Sequence, residues 1–339
     1  MTLTSSSRHA HPVAAARGRD ARSIARWIDT RATLVHSVLG LLLVGLFTAC
    51  VDRGSKRAMN PTTLSGTPMI APKTLRLPSG VTLSYRATGD VRSGLALVLL
   101  PGLSDSLRSW DLVTARLPSS VRVLAISQRG HGDSDKPDSG YAVADFEEDL
   151  GAFLDALAVP RVVVVGHSSA SLVARRFAEK HPERVTGIVL EGSFVKLGDR
   201  VPTKVRATFA SLQDPLTREF VREFAGGTYQ RPPPKEFLDV MLDENLKAPA
   251  RVWRETFASI LDYDDTQELA TLRTPTLIIW GDRDAIIDRD ATDTLARSIP
   301  ASRLVVYDGI GHSPHWEDPD RFARDLAGFV EECRQLPVR

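Results

Sequence analysis

The sequence predicts an α/β fold, a mostly parallel sheet with helices on both faces, and three features carry that reading. Short apolar runs recur along the chain: Ala96 to Leu100, Val162 to Val165, Thr276 to Trp280 and Ser302 to Tyr307. Runs that are apolar nearly throughout, rather than alternating, suit strands buried on both faces. Helical patterns lie between them. Phe146, Leu150, Phe153, Leu154 and Leu157 share one face of the stretch from Phe146 to Ala158, and Phe322, Leu326 and Phe329 share one face from Pro319 to Cys333. The runs also end in polar, glycine-containing loops, and the carboxyl ends of strands are where open α/β sheets build their sites.

Composition agrees. With 339 residues, 42% hydrophobic and 25% charged, the chain can bury one sizeable core. It shows no internal repeat, no coiled-coil heptads and no Gly-x-x-x-x-Gly-Lys phosphate loop.

Taken in order, the Ala96 run enters Pro101-Gly102-Leu103-Ser104-Asp105-Ser106, followed by Trp110. Next comes Ser127-Gln128-Arg129-Gly130-His131-Gly132-Asp133-Ser134, whose glycines and Arg129 are expected to brace a loop, with a structural role for His131. The Val162 run then leads through Gly166-His167-Ser168-Ser169-Ala170 into a helical stretch. A serine at a strand-to-helix turn, with small residues two places before and after, reads as a nucleophile elbow, whose backbone must turn so tightly that large neighbours cannot fit. On these five residues alone, a plain turn whose serine caps the helix is an equal alternative.

The chain downstream separates the two. A serine hydroxyl needs a base to take its proton and an acid to orient the base, and in this type of fold they follow in the order Ser, Asp, His. The Thr276 run ends in Gly281-Asp282-Arg283-Asp284, and the Ser302 run is followed by Gly309-Ile310-Gly311-His312-Ser313-Pro314-His315-Trp316-Glu317. Asp282 and Asp284 are both candidates for the acid, a loop aspartate's usual task being to bond backbone. His315 is expected to pack or bond locally, and Glu317-Asp318-Pro319 to start the last helix, where acidic residues are favourable.

These motifs together resemble the α/β-hydrolase superfamily, in particular its lidded serine-esterase and haloperoxidase-like branch, over residues 73–335. The resemblance implies an eight-stranded, mostly parallel sheet with a helical lid inserted after the sixth strand. It implies Asp284, the last residue of a Gly-x-x-Asp stretch, as the acid, and His312 of Gly311-His312 as the base. The oxyanion would be held by the backbone N–H groups of Leu103, which follows Gly102, and of Ser169, which follows the nucleophile. Ala170 stands where the family usually has glycine and Pro101 where it usually has histidine. The lid corresponds to residues of about 194–265, where four short helical patterns are broken by Asp214-Pro215, Gly226-Gly227 and Arg231-Pro232-Pro233-Pro234.

Reaction class follows from the nucleophile. Relatives of this fold that open haloalkanes and epoxides use aspartate at the elbow, so serine at 168 points instead to acyl transfer. The expected function is cleavage of small to medium carboxylic esters through an acyl-enzyme, with Ser168, Asp284 and His312 as the triad and no cofactor. Carbon–carbon bond hydrolysis and cofactor-free perhydrolysis use the same triad and are the alternatives; a non-enzymatic binding protein on this fold is the third. No metal site is expected, since the eight histidines are scattered and His-Glu-x-x-His is absent.

The leader differs in kind. Arg8, Arg17, Arg19, Arg22, Arg26 and Arg31 precede an apolar run from Leu34 to Phe47 and then Thr48-Ala49-Cys50. A basic region, an apolar stretch and a small residue describe an export signal over residues 1–49. Cysteine after Ala49 resembles the bacterial lipoprotein signal, which implies a lipid anchor at Cys50, a linker over 50–72 and an enzyme outside the inner membrane. An uncleaved membrane anchor is the rival, and a start at Met59 or Met69 would leave a cytoplasmic enzyme. From Cys50 onward the net charge is −3, which indicates neither nucleic-acid nor polybasic lipid binding. Two cysteines give no disulfide framework.

Overall fold

The computed structural model describes residues 70–336; the expected export signal, Cys50 and nearly all of the expected linker fall outside them. Eight strands form one sheet: β1 (Lys73–Arg76), β2 (Thr82–Thr88), β3 (Ala96–Leu100), β4 (Arg122–Ser127), β5 (Val162–His167), β6 (Val185–Glu191), β7 (Thr276–Gly281) and β8 (Ser302–Tyr307). Their spatial order is β1-β2-β4-β3-β5-β6-β7-β8. Only β2 runs against its neighbours; every pair from β4 to β8 is parallel.

Alternation along the strands divides the core in two. Val98, Leu100, Val162, Val164, Ile188 and Leu190 face one layer with Phe146, Phe153 and Phe177. These aromatics lie on α1 (Val143–Ala156) and α2 (Ser169–Lys180). Leu97, Leu99, Val163, Val165, Leu277 and Ile279 face the other, with Trp110, Phe322, Leu326 and Phe329. Both faces of the central strands are therefore dry, which accounts for their continuous apolar runs.

The chain passes from β3 to β4 on one side and, by way of α1, to β5 on the other. The loops after β3 and β5 thus diverge from neighbouring strands, leaving the crevice where open sheets take ligands. Above it stands the insert between β6 and β7, with α3 (Thr203–Ala210), α4 (Arg218–Gly226), α5 (Lys235–Asn245) and α6 (Ala250–Asp262). Phe209, Phe220, Phe224 and Phe257 pack around Trp253 and one another, giving the insert its own aromatic centre. The insert is tied down where the fully buried Arg175 of α2 donates to Asp265 at 2.9 Å. Between β7 and β8, α7 (Arg289–Ser298) packs Leu295 into the first layer, and after β8 the helix α8 (Pro319–Gln335) packs Phe322, Leu326 and Phe329 into the second. Among the described residues no helix is long and apolar enough to cross a membrane.

Candidate active site

Ser168 sits between β5 and α2 with φ 51° and ψ −118°, a backbone region that costs a side-chain-bearing residue of order 1–3 kcal/mol. The surrounding small residues are required by contact. A Cβ at Gly166 would lie 2.3 Å from the carbonyl oxygen of Ala170, and one at Gly102 would lie 2.9 Å from Nδ1 of His167. The strain is held by Ser168 N–H, which donates to the carbonyl of Glu191 at 2.8 Å and so fixes the elbow to the end of β6.

His312 and Asp284 arrive from the ends of β8 and β7. Nδ1 of His312 lies 2.7 Å from Oδ2 of Asp284, with both side chains buried. The other oxygen of Asp284 accepts from the N–H groups of Ile286 and Ile287, which fixes the carboxylate. Asp282 faces the other way and accepts from Gly309 N–H at 2.6 Å. The two loops touch backbone to backbone, since a Cβ at Gly281 would meet the carbonyl oxygen of Gly311 at 2.2 Å. Burial opposes the charged imidazole, but Asp284, with Glu191 and Glu317 farther off, outweighs it and holds His312 above the ordinary histidine value. Nε2 of His312 has no hydrogen-bond partner among the described residues, and it shares a small cavity with Ser168.

Leu103 follows Gly102 in the loop after β3 and borders the same cavity. Ser169 opens α2, so its N–H has no acceptor within the helix and the positive end of the helix faces Ser168. Two spaces meet at Ser168. One, of about 110 Å³, is walled by Phe194, Leu197, Val201, Val205, Phe209 and Ile260 and includes Ser169. The other, of about 30 Å³, is bounded by His312, Gly102, Asp105, Thr228, Asn245 and Trp316.

The fold also gathers residues whose roles the sequence did not signal. His315 does not bond locally: its Nδ1 is 2.8 Å from Glu191, 124 positions away, and its Nε2 is 2.9 Å from Ser109 Oγ. Burial pushes the Glu191 carboxyl up to about 7. His167 donates through Nε2 to the carbonyl of His312 at 3.1 Å, and burial holds it well below the ordinary histidine value. His167, Glu191 and His315 bring ligand atoms within 4.8 Å of one another, a grouping that spacing along the chain does not reveal and that could hold a metal ion. Hydrogen bonds occupy both ring nitrogens of His315 and one oxygen of Glu191, whereas Glu191 Oε2 and His167 Nδ1 have no hydrogen-bond partner among the described residues. The one sequence signal was Glu191 itself, a charged residue ending the apolar strand β6.

Glu317 is likewise more than the start of the last helix. It ends a separate single turn, Pro314–Glu317, while Asp318 caps α8 by accepting from Arg321 N–H. Glu317 accepts from Gly311 N–H at 2.8 Å and from Gln230 and Arg231 N–H at 2.9 and 2.7 Å, joining the His312 loop to the insert. Arg129 grips Asp149 with two bonds of 2.6 Å, and His131 is buried against the Arg129 carbonyl, its pKa pushed down to about 4.

The family model of the alpha/beta hydrolase fold matches residues 96–319. An uncharacterised protein of Mycobacterium tuberculosis is 28% identical over 288 residues, covering 77% of this chain and 82% of its own length. A non-heme chloroperoxidase of Streptomyces lividans is 26% identical over 274 residues, covering 76% and 99%. Among solved structures, the esterase RhEst1 from a Rhodococcus species superposes with a TM-score of 0.67 at 28% identity, over 78% of this chain and all of its own.

Proposed function

The chain belongs to the α/β-hydrolase family, and we propose that it is a serine hydrolase cleaving carboxylic esters of small to medium size. One observation carries the reading: Ser168, strained outward at its elbow, borders the same cavity as His312, whose far nitrogen is held by Asp284. In this reading His312 takes the Ser168 proton as the oxygen attacks the ester carbonyl. The N–H groups of Leu103 and Ser169 hold the oxyanion, and Asp284 steadies the imidazolium. His312 returns the proton to the departing alcohol, and a water activated by the same ring clears the acyl-enzyme. The insert would serve as a lid, its Phe209 and Phe224 closing the acyl space.

The Streptomyces relative favours a second use of the same acyl-enzyme, in which hydrogen peroxide replaces water and releases a peracid that oxidises halide. The deciding experiment is a panel of p-nitrophenyl esters of rising chain length, run beside peroxide-dependent bromination, on wild type and Ser168→Ala. Loss of ester turnover by roughly 10³- to 10⁶-fold in the variant supports the reading. More than a tenth of wild-type turnover in a folded Ser168→Ala overturns it. Bromination without measurable ester turnover would replace it with the second reading.

A further inference from the structure

The two spaces at Ser168 differ in chemistry, and the position of the base assigns them. His312 must hand its proton to the leaving oxygen, so the alcohol half departs on the His312 side. His312 borders the 30 Å³ space and not the 110 Å³ one. The acyl chain accordingly belongs among Phe194, Val201, Val205 and Phe209, and the alcohol belongs beside Asp105, Thr228 and Asn245.

Asp105 is the unusual member of that wall. It is a buried carboxyl with no Lys or Arg paired to it among the described residues. Asn245 Nδ2 donates to its Oδ1 at 2.9 Å, and its Oδ2 lies 3.3 Å from Ser109 Oγ. Ser109 Oγ in turn accepts from Trp316 Nε1 at 3.0 Å and lies 2.9 Å from His315 Nε2. The carboxyl is thus oriented from behind by groups of the β3 loop, α5 and the His312 loop. A carboxylate offers about four acceptor positions, and two are used here. Burying such a group costs free energy that an apolar residue of the same shape would avoid.

We propose that Asp105 is the specificity-determining residue for the alcohol half of the substrate, accepting a hydrogen bond from a hydroxyl that this half carries. The substrates are then esters of small, hydroxyl-bearing alcohols, with a short to medium apolar acyl chain. Size supports the first part, since 30 Å³ accommodates a group of only a few atoms, about two waters' worth by the usual measure. A site built to bond a hydroxyl discriminates against an isostere lacking it, because its own polar group is then left unpaired.

The inference rests on the ester reading, and the test separates the two. 2-Hydroxyethyl hexanoate and propyl hexanoate differ by one hydroxyl in place of one methyl. Their kcat/KM values are compared, by titrating released acid, for wild type, Asp105→Leu, Asp105→Asn and Ser168→Ala, with fluorophosphonate labelling of Ser168 as the check on folding. Wild type is expected to favour the hydroxyethyl ester at least tenfold and Asp105→Leu to bring the ratio to about one. A wild-type ratio of two or less overturns the inference and leaves the ester reading standing. So does a tenfold preference that persists in Asp105→Leu. If Asp105→Leu does not label, Asp105→Asn decides: the ratio must fall at least threefold, and an unchanged ratio overturns the inference. Turnover of neither ester by wild type, or of both by Ser168→Ala, overturns the ester reading and this inference with it.

Discussion

Gly192 lies directly against the imidazole of His312. It follows the last residue of β6, has φ +56°, and a Cβ there would stand 2.6 Å from Cε1 of the ring and 2.8 Å from Nδ1. The ring is therefore held between Asp284 on one side and bare backbone on the other. Gly192→Ala is expected to displace the ring and lower kcat/KM for esters on the order of 10²-fold, the effect of misplacing a reacting group by about an ångström. Thermal unfolding beside the kinetics checks that the loss is one of position: a variant with wild-type kcat/KM would show that the ring is not confined there.

Asp284 and Asp282 are two positions apart yet point to different partners, the first to His312 and the second to Gly309 N–H. Asp284→Asn is expected to lower kcat on the order of 10⁴-fold, because the amide can no longer hold the imidazolium. Asp282→Asn keeps an acceptor for Gly309 and is expected to lose less than about tenfold, a loop hydrogen bond being worth of order 1 kcal/mol. Steady-state kinetics of the two purified variants makes the check, and the reverse ranking would move the acid to Asp282.

The pH dependence follows from the raised pKa of His312. The ring must be neutral to take the Ser168 proton, so kcat/KM falls as pH drops through its folded-state pKa. Because Asp284 raises that value, the acidic limb should lie above about 6.5, the ordinary histidine value. In Asp284→Asn the residual activity should show the limb moved to lower pH. A limb below 6 in wild type, measured as kcat/KM from pH 5 to 9, would contradict the assignment of His312 as the base.

The central strands were legible because their physics is local. The run Ser302 to Tyr307 coincides with β8, and the Ala96 run with β3. The helix read from Phe146 begins one turn earlier, at Val143, which is buried in the same layer as Phe146, and its entry is made by Asp145, which accepts from Ala142 N–H at 2.8 Å. Ser168, Asp284 and His312 could each be picked out because each follows an apolar run and sits among glycines that leave room for it. Asp105, Glu191 and His315 could not be assigned in the same way. Their partners lie 140, 124 and 206 positions away, and such distances are bridged by sheet order rather than by any pattern along the chain.

The pair formed by Glu191 and His315 predicts a pH-dependent stability. His315→Phe suits the neighbouring Trp110 and Phe322 rings but removes the side-chain bond to a buried carboxyl. The expected cost is about 2 kcal/mol, the penalty for a buried polar group left without its partner. Burial raises the folded-state pKa of Glu191 to about 7, above its unfolded value of about 4.3, so at pH 5 the carboxyl is neutral when folded and mostly ionised when unfolded, and at pH 8 it is ionised in both states. The cost should therefore be greater at pH 8 than at pH 5. Glu191→Leu with His315→Phe should recover most of the loss, since both polar groups are then gone. Urea unfolding of wild type, His315→Phe, Glu191→Leu and the double variant at both pH values closes the cycle; equal costs at pH 5 and 8 would argue against an ionisable partner.

For location we propose that the mature enzyme begins at a lipidated Cys50. Six arginines from Arg8 to Arg31, the apolar run Leu34 to Phe47 and the Ala49-Cys50 pair support that proposal. One acyl chain binds a membrane only marginally, so a stable anchor needs the several chains that such lipoproteins carry. Residues 51–72, rich in Pro, Thr, Ser and Gly, would then act as a polar tether that lets the catalytic domain range near the surface. Cys50→Ser is expected to abolish incorporation of labelled palmitate and to release the protein or block its processing. A chain beginning at Ala71 should keep full ester turnover, since the site is built entirely from residues beyond it. The measurement that decides is the amino terminus of protein made in its own host. A free end at Met59 or Met69, with the activity in the cytosol, would remove the export reading and leave the hydrolase untouched.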